Sequence, residues 1–126
     1  MSTIPPKKKG LPRILAACRY SVHGLKFAFT QEAAFRQECL AFFISLIILF
    51  FLPVSLSLKI FLFFVGGIVI IVELLNSAIE AIVDMANPEY HDLAKQAKDL
   101  GSAAVLVSVT FALLIWGYAL ITAFTK

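Results

Sequence analysis

Charged residues are scarce in this sequence. Asp, Glu, Lys and Arg make up 15% of its 126 residues, whereas hydrophobic residues make up 60%, and the mean hydropathy is +0.91. Because soluble domains carry about 25% charged residues, this composition excludes an ordinary water-soluble protein. The length allows one small domain.

The sequence also lacks the motifs of common nucleotide-binding and hydrolytic folds. It has no G-x-x-x-x-G-K-[ST] loop, no G-x-G-x-x-G and no G-x-S-x-G. His23 and His91 are isolated, and Cys18 and Cys39 have neither metal nor disulfide spacing. The groups that remain for chemistry are carboxylates, an amide and lysines.

Long apolar segments dominate the chain instead. A bilayer of about 30 Å needs about 20 helical residues. Residues 39–58 are uncharged, although Pro53 requires that helix to start earlier, and residues 100–125 are uncharged throughout. Residues 60–85 can span only if their acids are accommodated. We predict an all-α membrane protein with spans at about 31–52, 59–86 and 99–124.

The N-terminal residues differ from the spans. Three prolines and three consecutive lysines predict a flexible basic leader over 1–12, whose attraction to anionic lipid is a simpler explanation than nucleic-acid binding. From about 13 to 29, apolar residues such as Ile14 and Val22 share one helix face, and Arg19 and Lys26 share the opposite one. This pattern predicts an interfacial helix, so residues 13–126 form a single membrane domain.

Basic residues indicate the orientation. Seven of the eleven Lys and Arg residues precede residue 39. The positive-inside rule therefore places the N-terminus and loop 86–99 in the cytoplasm and the C-terminus outside, as three spans also require.

One predicted span has a polar face. Residues 72–84, VELLNSAIEAIVD, include Glu73, Asn76, Glu80 and Asp84. At about 100° per residue these four lie on one stripe of a helix. Ionised carboxylates in hydrocarbon cost several kcal/mol and face a cavity or a partner, so they indicate a functional site.

Two further segments reach the same depth in the membrane. Because the second and third spans run in opposite directions, Glu80 and Asp84 are expected level with Lys98 and Asp99, and the start of the first span approaches this layer with Glu32. Mg²⁺ takes one or two protein carboxylates plus phosphate oxygens, and a lysine supplies a point charge for phosphate. With Glu73 as general base toward a hydroxyl, these groups suit phosphoryl transfer from a nucleotide to an alcohol in the bilayer.

Four segments resemble signatures of the bacterial diacylglycerol kinase family. They are AAFRQE (33–38), VELLNSAIEAIVD (72–84), EYH (89–91) and AKDLGSAAVL (97–106). The resemblance implies a three-span inner-membrane kinase, homotrimeric with shared active sites. It also implies that ATP and Mg²⁺ are used to convert diacylglycerol to phosphatidic acid in phospholipid recycling.

The resemblance also implies roles for individual residues. Glu73 would be the catalytic base, with Asn76 in the same site, and Glu32 and Glu80 would bind the metal. The nucleotide-binding residues would be Arg13, Tyr20, Glu32, Glu80, Glu89, Tyr90, His91, Lys98 and Asp99. The lipid-substrate residues would be Arg13, Ala34, Phe35, Arg36, Gln37, Glu38, Glu73 and Ser102.

Three alternatives stay open at this point. The polar stripe alone also suits interhelical hydrogen bonds in an oligomer. A membrane acid also suits a small proton-coupled exporter, although the chain has no second, oppositely oriented half. Within the kinase class, the alternative substrate is undecaprenol, which related small membrane kinases phosphorylate.

The predicted orientation can be tested without an activity assay. We expect a reporter fused after Lys126 to be active only outside the cytoplasm, because the basic residues hold the N-terminus inside. The same reporter fused before Lys7 serves as the control and should be inactive outside the cytoplasm. Cytoplasmic activity of the C-terminal fusion would contradict the predicted orientation.

Overall fold

The computed structural model describes residues 4–86 and 92–125, and within these residues the chain forms four α-helices and no strand. They are α1 (Leu11–Gln31), α2 (Ala33–Phe51), α3 (Leu56–Ala86) and α4 (Asp92–Phe124). The last three are long and apolar enough to cross a membrane. The predicted all-α class, with an N-terminal helix and three spans, is therefore confirmed for the described part of the chain.

Glu32 separates the first two helices. Its backbone is extended, with φ −102° and ψ 108°, so it ends α1 and begins α2 at once. The Arg36 guanidinium donates hydrogen bonds to the carbonyl oxygens of Phe29 (3.0 Å) and Thr30 (3.1 Å). These carbonyls have no partner within the last turn of α1, and a cation there is favoured by the helix dipole. Arg36 therefore stabilises the angle between α1 and α2.

The turn between α2 and α3 closes the opposite end of the bundle. Lys59 Nζ donates to the carbonyl of Phe50 (3.3 Å), and Ser55 Oγ accepts from the Leu58 amide (3.3 Å). Close to this turn lies the main apolar core, whose residues are all less than 10% exposed: Leu49, Leu52, Leu62 and Ala119. The core therefore ties the ends of α2 and α4 to the start of α3, far along α3 from Glu73.

The fourth helix is longer than its apolar segment. It begins at Asp92, whereas hydropathy predicts a start at about residue 99. Residues 92–98 are charged yet helical, because Asp92 suits the first turn and Lys95 pairs with Asp99 one turn later at 2.5 Å. The segment that contains Glu89, Tyr90 and His91 lies outside the described residues, so the nucleotide-binding prediction for these three stays untested.

The helices pack around α3. α4 packs mainly against α3, α2 contacts α3 less extensively, and α1 packs mainly against α2. Only 11%, 11% and 6% of the most apolar windows of α2, α3 and α4 are buried within the chain. Large exposed apolar surfaces of this kind face lipid or another subunit.

Gly66 permits a close approach between α2 and α3. A Cβ built on Gly66 would lie 2.6 Å from the ring of Phe42, whereas a Cβ on Gly67 would meet no atom within 4 Å. The Phe42 ring also packs on Phe63, with 5.7 Å between ring centroids. The missing side chain at Gly66 therefore allows an aromatic contact between the two helices.

The two adjacent glycines make a matched pair for a stability test. We expect Gly66→Ala to lower the free energy of unfolding by about 1–3 kcal/mol, the usual cost of overpacking. Gly67→Ala should leave it unchanged or raise it by up to about 1 kcal/mol, because Ala is the better helix former. Thermal unfolding in detergent micelles, followed by circular dichroism, measures both. Equal effects of the two substitutions would contradict the proposed contact.

Candidate functional site

The polar face of α3 is turned inward. Glu73 is 4% exposed and Asn76 is 8% exposed, although both lie in a helix whose other residues are mostly apolar. Asn76 Nδ2 donates a hydrogen bond to Glu80 Oε1 at 3.3 Å, one turn further along α3. The helix therefore presents a carboxylate, an amide and a second carboxylate in sequence on one buried face.

Two acids outside α3 interact electrostatically with Glu73. The Glu73 carboxylate lies within electrostatic range of Glu80 and of Glu32, the residue between α1 and α2. The Glu38 carboxylate, from α2, lies within range of Glu73 in turn. Acids from two separate segments therefore converge on the middle of α3.

The start of α4 adds a cation to this cluster. Lys98 Nζ forms an ion pair with Asp84 Oδ1 at 2.5 Å and lies within electrostatic range of Glu80. Asp99, the next residue, pairs with Lys95 on α4 itself. Lys98 is therefore directed toward the α3 acids, whereas the Asp99 carboxylate is held by its own helix.

An apolar cavity lies beside the carboxylates. It has a volume of about 540 Å³ and is bounded by α2, α3 and α4, with Gln37 and Glu38 among residues such as Ser45, Val69 and Trp116. Glu38 Oε2 is buried and has no hydrogen-bond partner within the described residues. A mostly apolar space whose few polar lining residues include Gln37, Glu38 and Ser45 suits a ligand with a large hydrocarbon part and a small polar part.

The other residues predicted to bind lipid are placed differently. Phe35 is 3% exposed and is packed within the protein. The Arg36 guanidinium is engaged by the α1 carbonyls. Ala34 and Ser102 are exposed. None of these four residues lines the cavity that Gln37 and Glu38 border.

Arg13 and Tyr20 lie on α1, apart from the carboxylates. Tyr20 is 67% exposed, and Arg13 is also exposed, in the first turn of the helix. Because α1 packs mainly against α2, a single chain does not bring these two side chains to the buried face of α3.

The carboxylates are suitable metal ligands without forming a complete cage. Within residues 4–86 and 92–125, no three His, Cys, Asp or Glu side chains are arranged to hold a metal ion. Mg²⁺ usually takes only one or two protein carboxylates and completes its shell with waters and substrate phosphates. Glu32 and Glu80 both lie within electrostatic range of Glu73 and are of the hard oxygen type that Mg²⁺ prefers.

Asp84 was predicted to lie on the polar stripe and level with Lys98, and the structure joins these two side chains in an ion pair. One residue near the site was not predicted to belong to it. Gly101 is buried against Asn76, and its sequence context indicated only a small residue for helix packing. A glycine has no side chain from which a role can be inferred.

Comparison with known proteins identifies similar chains. The family model described as prokaryotic diacylglycerol kinase matches residues 19–120. The chain is 46% identical over 107 residues to the diacylglycerol kinase of Escherichia coli K12, covering 85% of this chain and 88% of the relative. It is 45% identical over 122 residues to that of Pseudomonas aeruginosa PAO1 (96% and 99% covered). It is 39% identical over 123 residues to that of Helicobacter pylori 26695 (98% and 96% covered).

Proposed function

Because the chain belongs to the prokaryotic diacylglycerol kinase family, we propose that it transfers the γ-phosphoryl group of ATP to the free hydroxyl of diacylglycerol, giving phosphatidic acid. The observation that carries this proposal is the buried Glu73 carboxylate, with a polar cluster of Asn76, Glu80 and Lys98 on one side and the apolar cavity beside Glu38 on the other. A lipid alcohol and a polyphosphate have opposite solvation requirements, and this arrangement offers a suitable environment for each.

Glu73 is proposed as the general base. The lipid hydroxyl is a weak nucleophile until its proton is removed as the bond to phosphorus forms. Glu73 is 4% exposed, so water competes poorly for its oxygens. Glu38, whose Oε2 has no partner within the described residues, borders the cavity that is proposed to hold the lipid.

Glu32 and Glu80 are proposed as ligands of Mg²⁺, with ATP as phosphoryl donor. When bound, the ion would neutralise charge on the transferring phosphoryl group. Asn76 holds Glu80 through its hydrogen bond and so keeps one ligand in a fixed orientation. Lys98 supplies a further positive charge at the same end of α3.

The remaining residues are proposed to contact the nucleotide or the lipid. Those for the nucleotide are Arg13, Tyr20, Asp99 and the three in the segment outside the described residues, Glu89, Tyr90 and His91. Those for the lipid are Arg13, Ala34, Phe35, Arg36, Gln37, Glu38, Glu73 and Ser102. For Arg36 the proposed role is indirect, because its guanidinium stabilises the junction that carries Glu32.

The protein is proposed to act as a homotrimer in the bacterial inner membrane, with the N-terminus in the cytoplasm and the C-terminus outside. Two observations support assembly. Ser102 is exposed and Glu80 is only partly buried in the single chain, although lipid cannot satisfy such groups. Arg13 and Tyr20 also lie away from the site in their own chain, so a shared site would explain their predicted roles.

The relatives decide between the alternative functions. All three compared proteins are named diacylglycerol kinases, so neither the proton-coupled exporter nor undecaprenol phosphorylation is favoured. The alternative that the polar stripe serves interhelical hydrogen bonds gains no support from the Asn76 hydrogen bond, because its acceptor, Glu80, lies on the same helix.

The kinase proposal is tested by ATP-dependent phosphorylation in mixed micelles, with diacylglycerol and undecaprenol as separate acceptors. We expect turnover with diacylglycerol, and a loss of about 10²–10⁴-fold in Glu73→Gln, the usual value of general-base catalysis. Asp92→Asn removes the same charge at an exposed position of α4 and should remain active. Near-normal turnover in a folded Glu73→Gln protein would overturn the proposed base, and phosphorylation of undecaprenol alone would overturn the substrate.

The proposed trimer is tested on the same preparation. Size-exclusion chromatography with light scattering should give a protein mass near three times the chain mass of 13.9 kDa, and activity should follow that fraction. Dilution in detergent should lower mass and activity together if subunits share the site. A fully active monomer would contradict the proposal.

A further inference from the structure

We infer that Gly101 is a positioning residue. The space left by its missing side chain accommodates Asn76 Oδ1, so that the amide can direct its NH₂ group to Glu80. The inference deepens the proposed function, on which its kinetic consequence rests. The geometry that carries it does not depend on the identity of the substrate.

Gly101 is buried in α4 directly against Asn76. A Cβ built at this position would overlap Asn76 Oδ1, would lie 3.3 Å from Asn76 Cγ, and would lie 3.8 Å from Ile79 Cδ1. The overlap concerns the amide group alone, since 3.8 Å from Ile79 is an ordinary van der Waals distance. Asn76 therefore occupies the volume that any other residue at position 101 would fill.

The backbone of Gly101 gives no conformational reason for a glycine. Gly101 lies inside the α-helical range of α4, and the only glycine with positive φ in the described residues is Gly10. Alanine is a better helix former than glycine at such a position. The benefit of glycine here must come from the space that it leaves for Asn76.

The two ends of the Asn76 amide have different surroundings. Nδ2 donates to Glu80 Oε1 at 3.3 Å, whereas Oδ1 is buried against Gly101 and has no hydrogen-bond partner within the described residues. Turning the amide over would place its oxygen against the Glu80 carboxylate, so the lone pairs of two oxygens would meet. Contact with α4 at one end and the carboxylate at the other thus determines the orientation of the amide.

The next contact along the same helix pair explains why α4 cannot simply move away from the amide. Lys98, one turn before Gly101 on α4, is joined to Asp84 on α3. Asn76 and Asp84 are two turns apart on α3, with Glu80 between them. An added methyl group at position 101 must therefore displace the Asn76 side chain, which moves Nδ2 relative to Glu80, or separate α3 from α4, which the ion pair between Lys98 and Asp84 opposes.

A spectroscopic experiment tests this geometry directly. The chain has two asparagines, Asn76 and Asn87, so selective ¹⁵N-asparagine labelling gives two side-chain NH₂ signals, and Asn87→Ser assigns them. We expect Gly101→Ala to shift the Asn76 NH₂ signal and to leave that of Asn87 in place. Gly117→Ala, a glycine of the same helix with nothing within 4 Å of its added Cβ, should move neither. An unmoved Asn76 signal in Gly101→Ala overturns the inference.

A stability cycle separates this role from general helix packing. In the wild-type background Gly101→Ala introduces the overlap with Asn76, whereas in an Asn76→Ala background the space is free and Ala is favoured in the helix. We therefore expect Gly101→Ala to lower the thermal midpoint of unfolding in the wild type. In the Asn76→Ala background the same substitution should lower it less or raise it. Equal shifts in the two backgrounds would indicate packing independent of Asn76 and would overturn the inference.

The kinetic consequence is specific to the metal and the nucleotide. In Gly101→Ala we expect kcat to fall at least about tenfold, as for loss of a hydrogen bond to a charged group, and the Mg²⁺ concentration for half-maximal activity to rise. The KM for the lipid should stay near the wild-type value, and Gly117→Ala should match the wild type throughout. A changed lipid KM with unchanged Mg²⁺ dependence would overturn the assignment. A wild type that shows the NMR signature but no kinase activity would instead contradict the proposed function.

Discussion

The constraint on which this structure depends is that the acids of α3 cannot face lipid. An isolated ionised carboxylate in hydrocarbon costs several kcal/mol, and Glu73 lies in the middle of an apolar helix at 4% exposure. This requirement gives α3 the central position, between α2 and α4. The opposite side of α3 satisfies the complementary requirement, because Ile68, Ile71 and Leu75 are 51%, 57% and 60% exposed and suit lipid or an apolar subunit surface.

The break at Glu32 follows from a related constraint on the charged residues of α1. A continuous helix from α1 into α2 would carry the interfacial residues into the bilayer, whereas one extended residue allows α1 to change direction. The carbonyls left open at the end of α1 are satisfied by Arg36. The junction thereby places the Glu32 carboxylate within electrostatic range of Glu73. A structural break and a candidate metal ligand are combined in one residue.

The sequence predicts the elements of this fold better than the contacts between them. The first and third spans follow from uncharged runs of about 20 residues, and the shared face of Glu73, Asn76 and Glu80 follows from helical period. The start of α4 does not, because residues 92–98 are charged and hydropathy does not distinguish a polar helix from a loop. Nor does the sequence indicate that Glu38 borders a cavity or that Gly101 meets Asn76, since both depend on how α2 and α4 rotate about their own axes.

Charge balance gives a further argument for a divalent cation in the proposed reaction. The cluster along the C-terminal half of α3 includes the acids Glu32, Glu73, Glu80 and Asp84, and Lys98 is already paired with Asp84. A polyphosphate that approached these carboxylates without a cation would meet like charges, which repel it. A bound Mg²⁺ would convert the same carboxylates from a source of repulsion into ligands. The acidic character of the site therefore favours a reaction in which the nucleotide arrives with its metal.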